Sequence, residues 1–201
     1  MVVGFNNAVL APLFSLFNVV TGALTAKTEQ SELPSFPVYL CQVFLSLMCE
    51  DMMFYWCHRL LHQPWIYPYI HKMHYEFYDT ICLSSEYAHP VEFVIGNLIP
   101  LGLGTIILNG HGHQLSFLVF VTLRLFETVE SHGGYDFPWA ITRCFPFSVT
   151  SKYHNYHHLK NMGNYGSFLI MWDSICGTNS HYYDEILHHD KDFSDYNKKT
   201  N

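Results

Sequence analysis

Four stretches of this chain carry almost no charge, and they alternate with short polar segments that are rich in histidine. The first, residues 2–26, is long enough to cross a bilayer core of about 30 Å as a helix. Residues 36–57 form a second such stretch, and residues 93–108 and 114–126 are typical of the two arms of a membrane hairpin. Since lipid offers the backbone no hydrogen bonds, we expect an all-α integral membrane bundle of about four spans.

The composition excludes several classes of protein. Charged residues make up 13% of the 201 residues, about half the share of roughly 25% in soluble domains. Acidic residues (17) outnumber lysine plus arginine (10), which argues against a nucleic-acid binder with a basic face. The six cysteines form no C-x-x-C pair, so we expect free thiols rather than a disulfide scaffold or a cysteine metal site.

The hairpin fixes the relative placement of the histidine-rich segments. Because it crosses the membrane twice, residues 58–74 and 132–158 should emerge on the same side. Lys27 is the basic residue expected on the opposite side, whereas five fall on the histidine side: Arg59, Lys72, Arg143, Lys152 and Lys160. By the positive-inside rule, the spans should carry a cytoplasm-facing, histidine-rich helical cap.

The histidines recur at helical spacing. They form pairs at i and i+4 or i+3, one triplet and one further residue: His58 and His62, His71 and His74, His154, His157 and His158, and His132. Such spacings place the rings on one helical face, within reach of a shared ion. A single histidine beside a membrane is more often hydrogen-bonded or solvated. The joint pattern on one side of the membrane instead predicts a metal site.

The number of histidines narrows the choice of metal. Imidazole suits zinc, copper, iron and nickel, and a structural zinc would close its shell with four ligands. Eight candidates therefore suggest two ions. Two-metal sites also serve hydrolysis, so the number of ions does not fix the chemistry. The apolar setting favours a lipid substrate, and iron with O2 is the natural means of attacking its unactivated C–H bonds.

Charged residues also interrupt the apolar stretches. Glu50 and Asp51 lie near the end of the second stretch, where acids usually face the protein interior. They could orient ligand imidazoles, or equally occupy helix-capping or solvated positions near the interface. Arg124 and Glu127 lie at i and i+3, which predicts a structural ion pair.

The three histidine segments, 58–62, 71–75 and 154–158, resemble the histidine boxes of the fatty acid hydroxylase superfamily, and within it those of the sterol C-4 methyl oxidases. The resemblance covers roughly residues 40–182. Further segments support it: Ser85 to Pro90, Glu127 to Asp136, Asn164 to Gly166, Trp172-Asp173 and Gly177-Thr178.

That resemblance implies a non-haem di-iron monooxygenase that uses O2 to oxidise a C-4 methyl group of a sterol. Electrons would come from NAD(P)H through cytochrome b5 and its reductase, since the chain has no nucleotide-binding motif of its own. Zinc could replace iron in purified protein. The implied iron ligands are His58, His62, His71, His74, His132, His154, His157 and His158, with no catalytic residue beyond the ligands. Asp136 is a possible additional ligand, and so is His89, although Ala-His-Pro could equally shape a turn.

One position departs from the family pattern. The second box is normally H-x-x-H-H, but Tyr75 stands where the last histidine is expected. A tyrosine phenolate can bind ferric iron, and Glu76 or water could fill the gap instead. Three alternatives therefore stay open beside the methylsterol oxidase: an acyl-lipid hydroxylase, a desaturase, and a non-catalytic membrane scaffold subunit.

The organisation of the chain suggests a single membrane domain over residues 1–182, followed by a polar tail over residues 183–201. Lys198 and Lys199, near the C-terminus, resemble a di-lysine retrieval signal. We therefore expect an endoplasmic-reticulum membrane protein with a cytoplasmic C-terminus, although another organelle is possible. The expected partners are the bilayer, a sterol or other lipid, cytochrome b5 with its reductase, and other membrane proteins of a complex.

Overall fold

A computed structural model describes residues 1–20, 32–77, 80–108 and 111–186, and its named elements are all helices. Helix α1 runs through Val2–Phe5, Asn6–Leu10 and Ala11–Val20. The other longer helices are α2 (Phe36–Leu61), α3 (Pro90–Leu108), α4 (Gln114–Ser131), α5 (Ser151–Lys160) and α6 (Met171–Cys176). Three 3₁₀ turns lie between them: His71–Glu76, Cys82–Glu86 and Ile141–Cys144. Residues 180–186 are also helical.

Local sequence accounts for several helix ends. Pro37 lies in the first turn of α2, where its missing N–H would be unpaired in any case. Pro100 lies within α3, just after the π-helical segment Phe93–Leu98. Proline has no N–H to donate, so one backbone hydrogen bond of the helix is missing close to the point where π geometry changes to α geometry. Helix α5 begins where the Thr150 side chain accepts the Tyr153 N–H, and ends at left-handed Asn161.

Two helices of the described residues are long and apolar enough to cross a membrane: Phe36–Leu61 and Pro90–Leu108. The N-terminal apolar helix Val2–Leu16 is shorter, and α4 is interrupted by Arg124 and two glutamates. The all-helical prediction is therefore confirmed, whereas four spans and a cytoplasmic histidine face stay predictions. Part of the predicted first span (residues 21–26) and most of the predicted tail (187–201) lie outside the described residues.

Helices α2, α3 and α4 pack closely enough to form the centre of the molecule. A Cβ atom added to Gly104 of α3 would lie 2.7 Å from the Cα of Ser46, so glycine is what allows α2 and α3 to touch. Leu47 of α2, Phe120 of α4 and Phe168 of a later loop form one buried cluster. The outer faces of the helices are apolar and exposed, as a lipid environment would require. All six cysteines are free thiols, as predicted.

A buried ion network joins α2 to α4. Arg124 donates to Glu50 Oε1 at 2.6 Å and to Glu127 Oε2 at 2.7 Å, so the predicted Arg124–Glu127 pair is confirmed and gains a third member. Asp51 accepts the backbone N–H groups of Phe168 and Leu169. Orienting imidazoles is wrong as a role for Glu50 and Asp51, because Glu50 binds Arg124 and Asp51 binds backbone N–H groups. A solvated position is wrong as well, because both side chains are buried.

Candidate metal centre

The ends of three helices and one 3₁₀ turn bring the predicted histidines together at one end of the bundle. Helix α2 continues to Leu61, four residues beyond the predicted span, so its last turn carries His58 and places His62 just after it. Helix α4 ends immediately before His132. The histidines form two buried or half-buried clusters, in each of which four ligand atoms lie within 4.8 Å of one another: His58, His62, His71 and His157; and His74, His132, His154 and His158.

The first cluster is formed by facing Nε2 atoms. The Nε2 atoms of His58 and His157 are 3.1 Å apart, as are those of His62 and His71. The opposite ring nitrogens bind the protein: Nδ1 of His58 donates to the Tyr165 carbonyl at 2.9 Å, and Nδ1 of His157 donates to the carbonyl of Gly163. Nδ1 of His71 lies 2.9 Å from Oε1 of buried Glu92.

The second cluster follows the same plan. Nε2 of His132 lies 3.0 Å from that of His154 and 3.4 Å from that of His74. Nδ1 of His74 donates to the Tyr87 carbonyl, and Nδ1 of His132 donates to the Thr128 carbonyl. His158 completes the cluster, and neither of its ring nitrogens has a hydrogen-bond partner, although the residue is 2% exposed.

The electrostatics of both clusters favour neutral imidazoles. Burial, followed by repulsion between neighbouring rings, holds the pKa values of His71, His154 and His158 below the usual value for histidine. A carbonyl can only accept, so a neutral ring that binds one through Nδ1 must carry its proton there and a lone pair on Nε2. Converging lone pairs repel one another unless a cation lies between them. The donor set, including the unpartnered nitrogens of His158, therefore fits two metal ions.

Tyr75 lies between the two clusters, but its hydroxyl faces only the first. The Tyr75 oxygen is 2.9 Å from His62 Nε2 and also hydrogen-bonds His157 Nε2. Its ring packs against His158 of the second cluster, with centroids 4.8 Å apart. Burial raises the pKa of Tyr75 well above its usual value, so without a cation nearby the phenol keeps its proton.

The remaining candidate residues lie outside both clusters. Asp136 forms an ion pair with Arg143 at 2.6 Å. His89 precedes the first turn of α3, where its Nδ1 accepts the N–H of Val91, which is the local structural role that Ala-His-Pro suggested. Glu76 accepts a hydrogen bond from the Tyr87 hydroxyl and does not reach the histidines.

The histidine pattern alone did not identify the groups that orient the rings. Glu92 is one of them, and its signal was available, since it is an acid placed just before the uncharged stretch 93–108. The carbonyls of Tyr87, Thr128, Gly163 and Tyr165 are others. Backbone acceptors carry no residue-specific signal, so only the fold could reveal them.

A small cavity of about 40 Å³ lies on the bundle side of the histidines. Both clusters line it, together with Glu92, Asn97, Arg124 and Glu127. A water molecule needs roughly 10–15 Å³ by the same measure, so the cavity has room for a few waters or for O2.

Comparison with known proteins places this architecture in a family. The model of the fatty acid hydroxylase family matches residues 43–178. A Dictyostelium discoideum protein provisionally named a methylsterol monooxygenase is 39% identical over 178 residues, which are 87% of this chain and 64% of that protein. Methylsterol monooxygenase 1-3 of Arabidopsis thaliana is 38% identical over 78% of this chain and 55% of its own length.

A third relative carries a different name. A very-long-chain aldehyde decarbonylase of Oryza sativa subsp. indica is 38% identical over 75% of this chain and 56% of its own length. The chain thus spans less than two thirds of the length of these relatives. No solved structure matches it. Because the family model covers more than half of the sequence, the chain belongs to the fatty acid hydroxylase family.

Proposed function

We propose that this protein is a membrane-bound, non-haem di-iron oxygenase that oxidises a C–H bond of a lipid with O2. The observation that carries the proposal is the convergence of eight histidines into two clusters of ligand atoms. One four-nitrogen cluster could hold a structural zinc. Two adjacent clusters beside a cavity, in a chain with membrane-length apolar helices, fit a redox centre better.

Each ion would be held by one cluster. His58, His62, His71 and His157 would bind the first ion, with the Tyr75 oxygen as an additional ligand. His74, His132, His154 and His158 would bind the second. We assign no ligand role to Asp136 or His89, because their side chains are engaged elsewhere.

When bound, the two irons would supply the O2 activation that breaking an unactivated C–H bond requires. The contribution of the protein is to hold the imidazoles neutral and correctly oriented, through the carbonyls of Tyr165 and Gly163 and the carboxylate of Glu92. The cavity beside the clusters would leave room for O2 and for only a few waters. Arg124 forms ion pairs with both Glu50 and Glu127 beside the cavity.

The substrate we propose is a sterol with a C-4 methyl group, because relatives of this chain are named methylsterol monooxygenases. Electrons would arrive from NAD(P)H through cytochrome b5 and its reductase. The setting would be the endoplasmic-reticulum membrane, with about four spans and the histidine end facing the cytoplasm. Binding of zinc in place of iron would leave the fold but remove the redox chemistry.

A second candidate substrate is a long acyl chain. The relatives named very-long-chain aldehyde decarbonylases favour it, since they match this chain at the same 38% identity as the plant methylsterol monooxygenases. A third candidate, a scaffold without metals, is favoured by Tyr75 alone, the position that departs from the box.

Metal content is the first test, made on detergent-purified protein before and after anaerobic iron loading. Two irons per chain are expected, and no metal after loading would contradict the oxygenase. Turnover is then assayed with cytochrome b5, its reductase and NAD(P)H, using a 4-methylsterol and a long-chain aldehyde in parallel. His157→Ala should abolish turnover while leaving the helical circular dichroism unchanged, and unaltered turnover would disprove the ligand assignment.

A further inference from the structure

Two short segments after α4 pair with each other outside the helices. The N–H of Val149 donates to the Phe168 carbonyl at 2.9 Å, and the N–H of Ile170 donates to the Phe147 carbonyl at 2.8 Å. Ser148 and Leu169 form an antiparallel β-bridge between these bonds. We call residues 145–149 and 167–170 the paired segment.

The paired segment lies beside the middle of α2 rather than at its histidine end. Phe168 packs with Leu47 of α2 and Phe120 of α4, and Asp51 accepts the N–H groups of Phe168 at 3.0 Å and Leu169 at 2.8 Å. At 1.5 Å per residue, Asp51 and Leu47 lie about 10 and 16 Å along α2 from His58. Two loops that follow the histidine-rich segments in sequence therefore return toward the centre of the bundle.

Irregular backbone can lie at membrane depth only if its polar groups have partners in the protein. Four backbone N–H groups of the paired segment meet this condition, because those of Val149, Phe168, Leu169 and Ile170 are hydrogen-bonded within the protein. The sequence agrees with such a location. Residues 144–151 and 161–172 carry no charge, and the first stretch is flanked by Arg143 and Lys152.

The outer face of the paired segment is apolar and uncovered in the described structure. Phe147 is 71% exposed at a φ of 64°, a conformation that bulky residues rarely adopt, and Phe145 is 37% exposed beside Phe168. On α2, Phe44 is also 60% exposed, one helical turn before Leu47, which packs against Phe168. Lipid that covers α2 at this depth would also reach Phe147.

The loop before the paired segment is attached to the end of α4. Thr142 donates to Oε1 of Glu130, the last residue but one of α4, at 2.7 Å. Just upstream, Tyr135, Phe137 and Trp139 stack on one another, with Trp139 77% exposed. Aromatic side chains of this kind are enriched where a membrane meets water.

We propose that the paired segment is re-entrant: it lies within the hydrocarbon of the bilayer, with Phe147 in contact with acyl chains. This inference rests on the proposed membrane insertion of α2. It revises the expectation that everything after the hairpin forms a cap outside the membrane. Gly166 and Ser167, at the edge of the paired segment, line the cavity. One wall of the cavity would therefore border the lipid phase.

The test is the accessibility of a nitroxide to O2, which concentrates in lipid, and to a water-soluble nickel chelate. The full-length chain is studied in lipid nanodiscs after its six cysteines have been replaced by serine, with Phe147→Cys labelled. Phe44→Cys is the reference on α2, and Tyr69→Cys, 79% exposed in the loop after α2, is the aqueous reference. If the cysteine-free chain does not fold, Phe147→Trp in the native background is measured instead, by quenching with deep and shallow brominated lipids.

The proposal expects the ratio of O2 to nickel accessibility at position 147 to match that at 44 and to exceed that at 69 several-fold. Deep brominated lipid should likewise quench the added tryptophan more than shallow lipid. High nickel accessibility at 147 alone would overturn the proposal, and so would low accessibility to both reagents, which indicates a covering protein. High nickel accessibility at position 44 as well as at position 147 would show that α2 does not span the membrane. That result would contradict both the proposed insertion of α2 and the re-entrant placement of the paired segment.

Discussion

Glu92→Gln should weaken one metal site and spare the other. The Glu92 carboxylate lies 2.9 Å from Nδ1 of His71, and both residues are buried. The ring nitrogens of His74 and His132 in the second cluster instead face backbone carbonyls, which the substitution leaves in place. Glutamine keeps the shape of the side chain and removes its negative charge.

The size of the effect follows from the geometry. With an ion about 2.1 Å beyond Nε2 of His71, the carboxylate would lie roughly 7 Å from it. A unit charge facing a divalent ion at that distance gains about 5 kcal/mol at an effective dielectric of 20, an upper bound on the change in binding free energy. The glutamine dipole recovers part of this, and groups that orient ligands typically contribute about 10- to 100-fold in affinity. We expect a loss in that range, about 1.4–2.8 kcal/mol.

The assay is retention of metal against increasing chelator, measured as metal ions per chain. Compared with wild type, Glu92→Gln should release one ion at about 10- to 100-fold lower chelator, while the other ion leaves at the wild-type chelator concentration. Glu76→Gln is the matched control, because it removes a nearby exposed carboxylate that touches no imidazole. Equal weakening of both ions, or an equal effect of Glu76→Gln, would refute the reasoning.

Three further predictions concern the clusters and the bundle. Because burial lowers the pKa of His132 and the other histidines of the second cluster, the metal-free protein should lose stability as the pH falls below about 6.5, where the unfolded imidazoles take up protons. The loss should reach up to about 1.4 kcal/mol per pH unit for each histidine, and a thermal midpoint that does not change with pH would contradict it. Iron-loaded, oxidised protein should show a visible phenolate-to-iron absorption that Tyr75→Phe removes at unchanged iron content. Gly104→Ala should cost about 1–3 kcal/mol in thermal unfolding, because its Cβ would meet the Ser46 backbone, whereas Gly4→Ala, with open space around it, should not.

The sequence was most informative where one type of residue, histidine, recurs at a fixed spacing. All eight candidate histidines meet in the two clusters, and seven of them were chosen from their helical spacing. The spacing predicted that the rings of each segment lie close together, but not which cluster each ring joins. The all-helical fold was predictable for a similar reason, because long uncharged stretches leave few alternatives. The His71–Glu76 segment, a 3₁₀ helix, still brings both of its histidines inward.

Other features could not be predicted because they depend on the partner element. Nothing local shows that Glu50 pairs with Arg124, 74 residues away, or that Asp51 binds the backbone of Phe168, 117 residues away. The division of the histidines was equally hidden, since neighbours in one box go to different clusters. His71 and His74 separate in this way, and so do His157 and His158.

That division has a consequence for how the protein is made. In the first cluster, His157 meets His58 across 99 residues of chain, and in the second, His132 meets His74 across 58. Neither site can close until α5 has been synthesised, which is after the helices proposed to span the membrane, α2 and α3. Bound iron would then cross-link the first and last parts of the domain late in synthesis. The cross-link would restrict the open chain most at the longer of the two loops. If the proposed irons bind, the final form of both sites would therefore be completed only after α5 has been made.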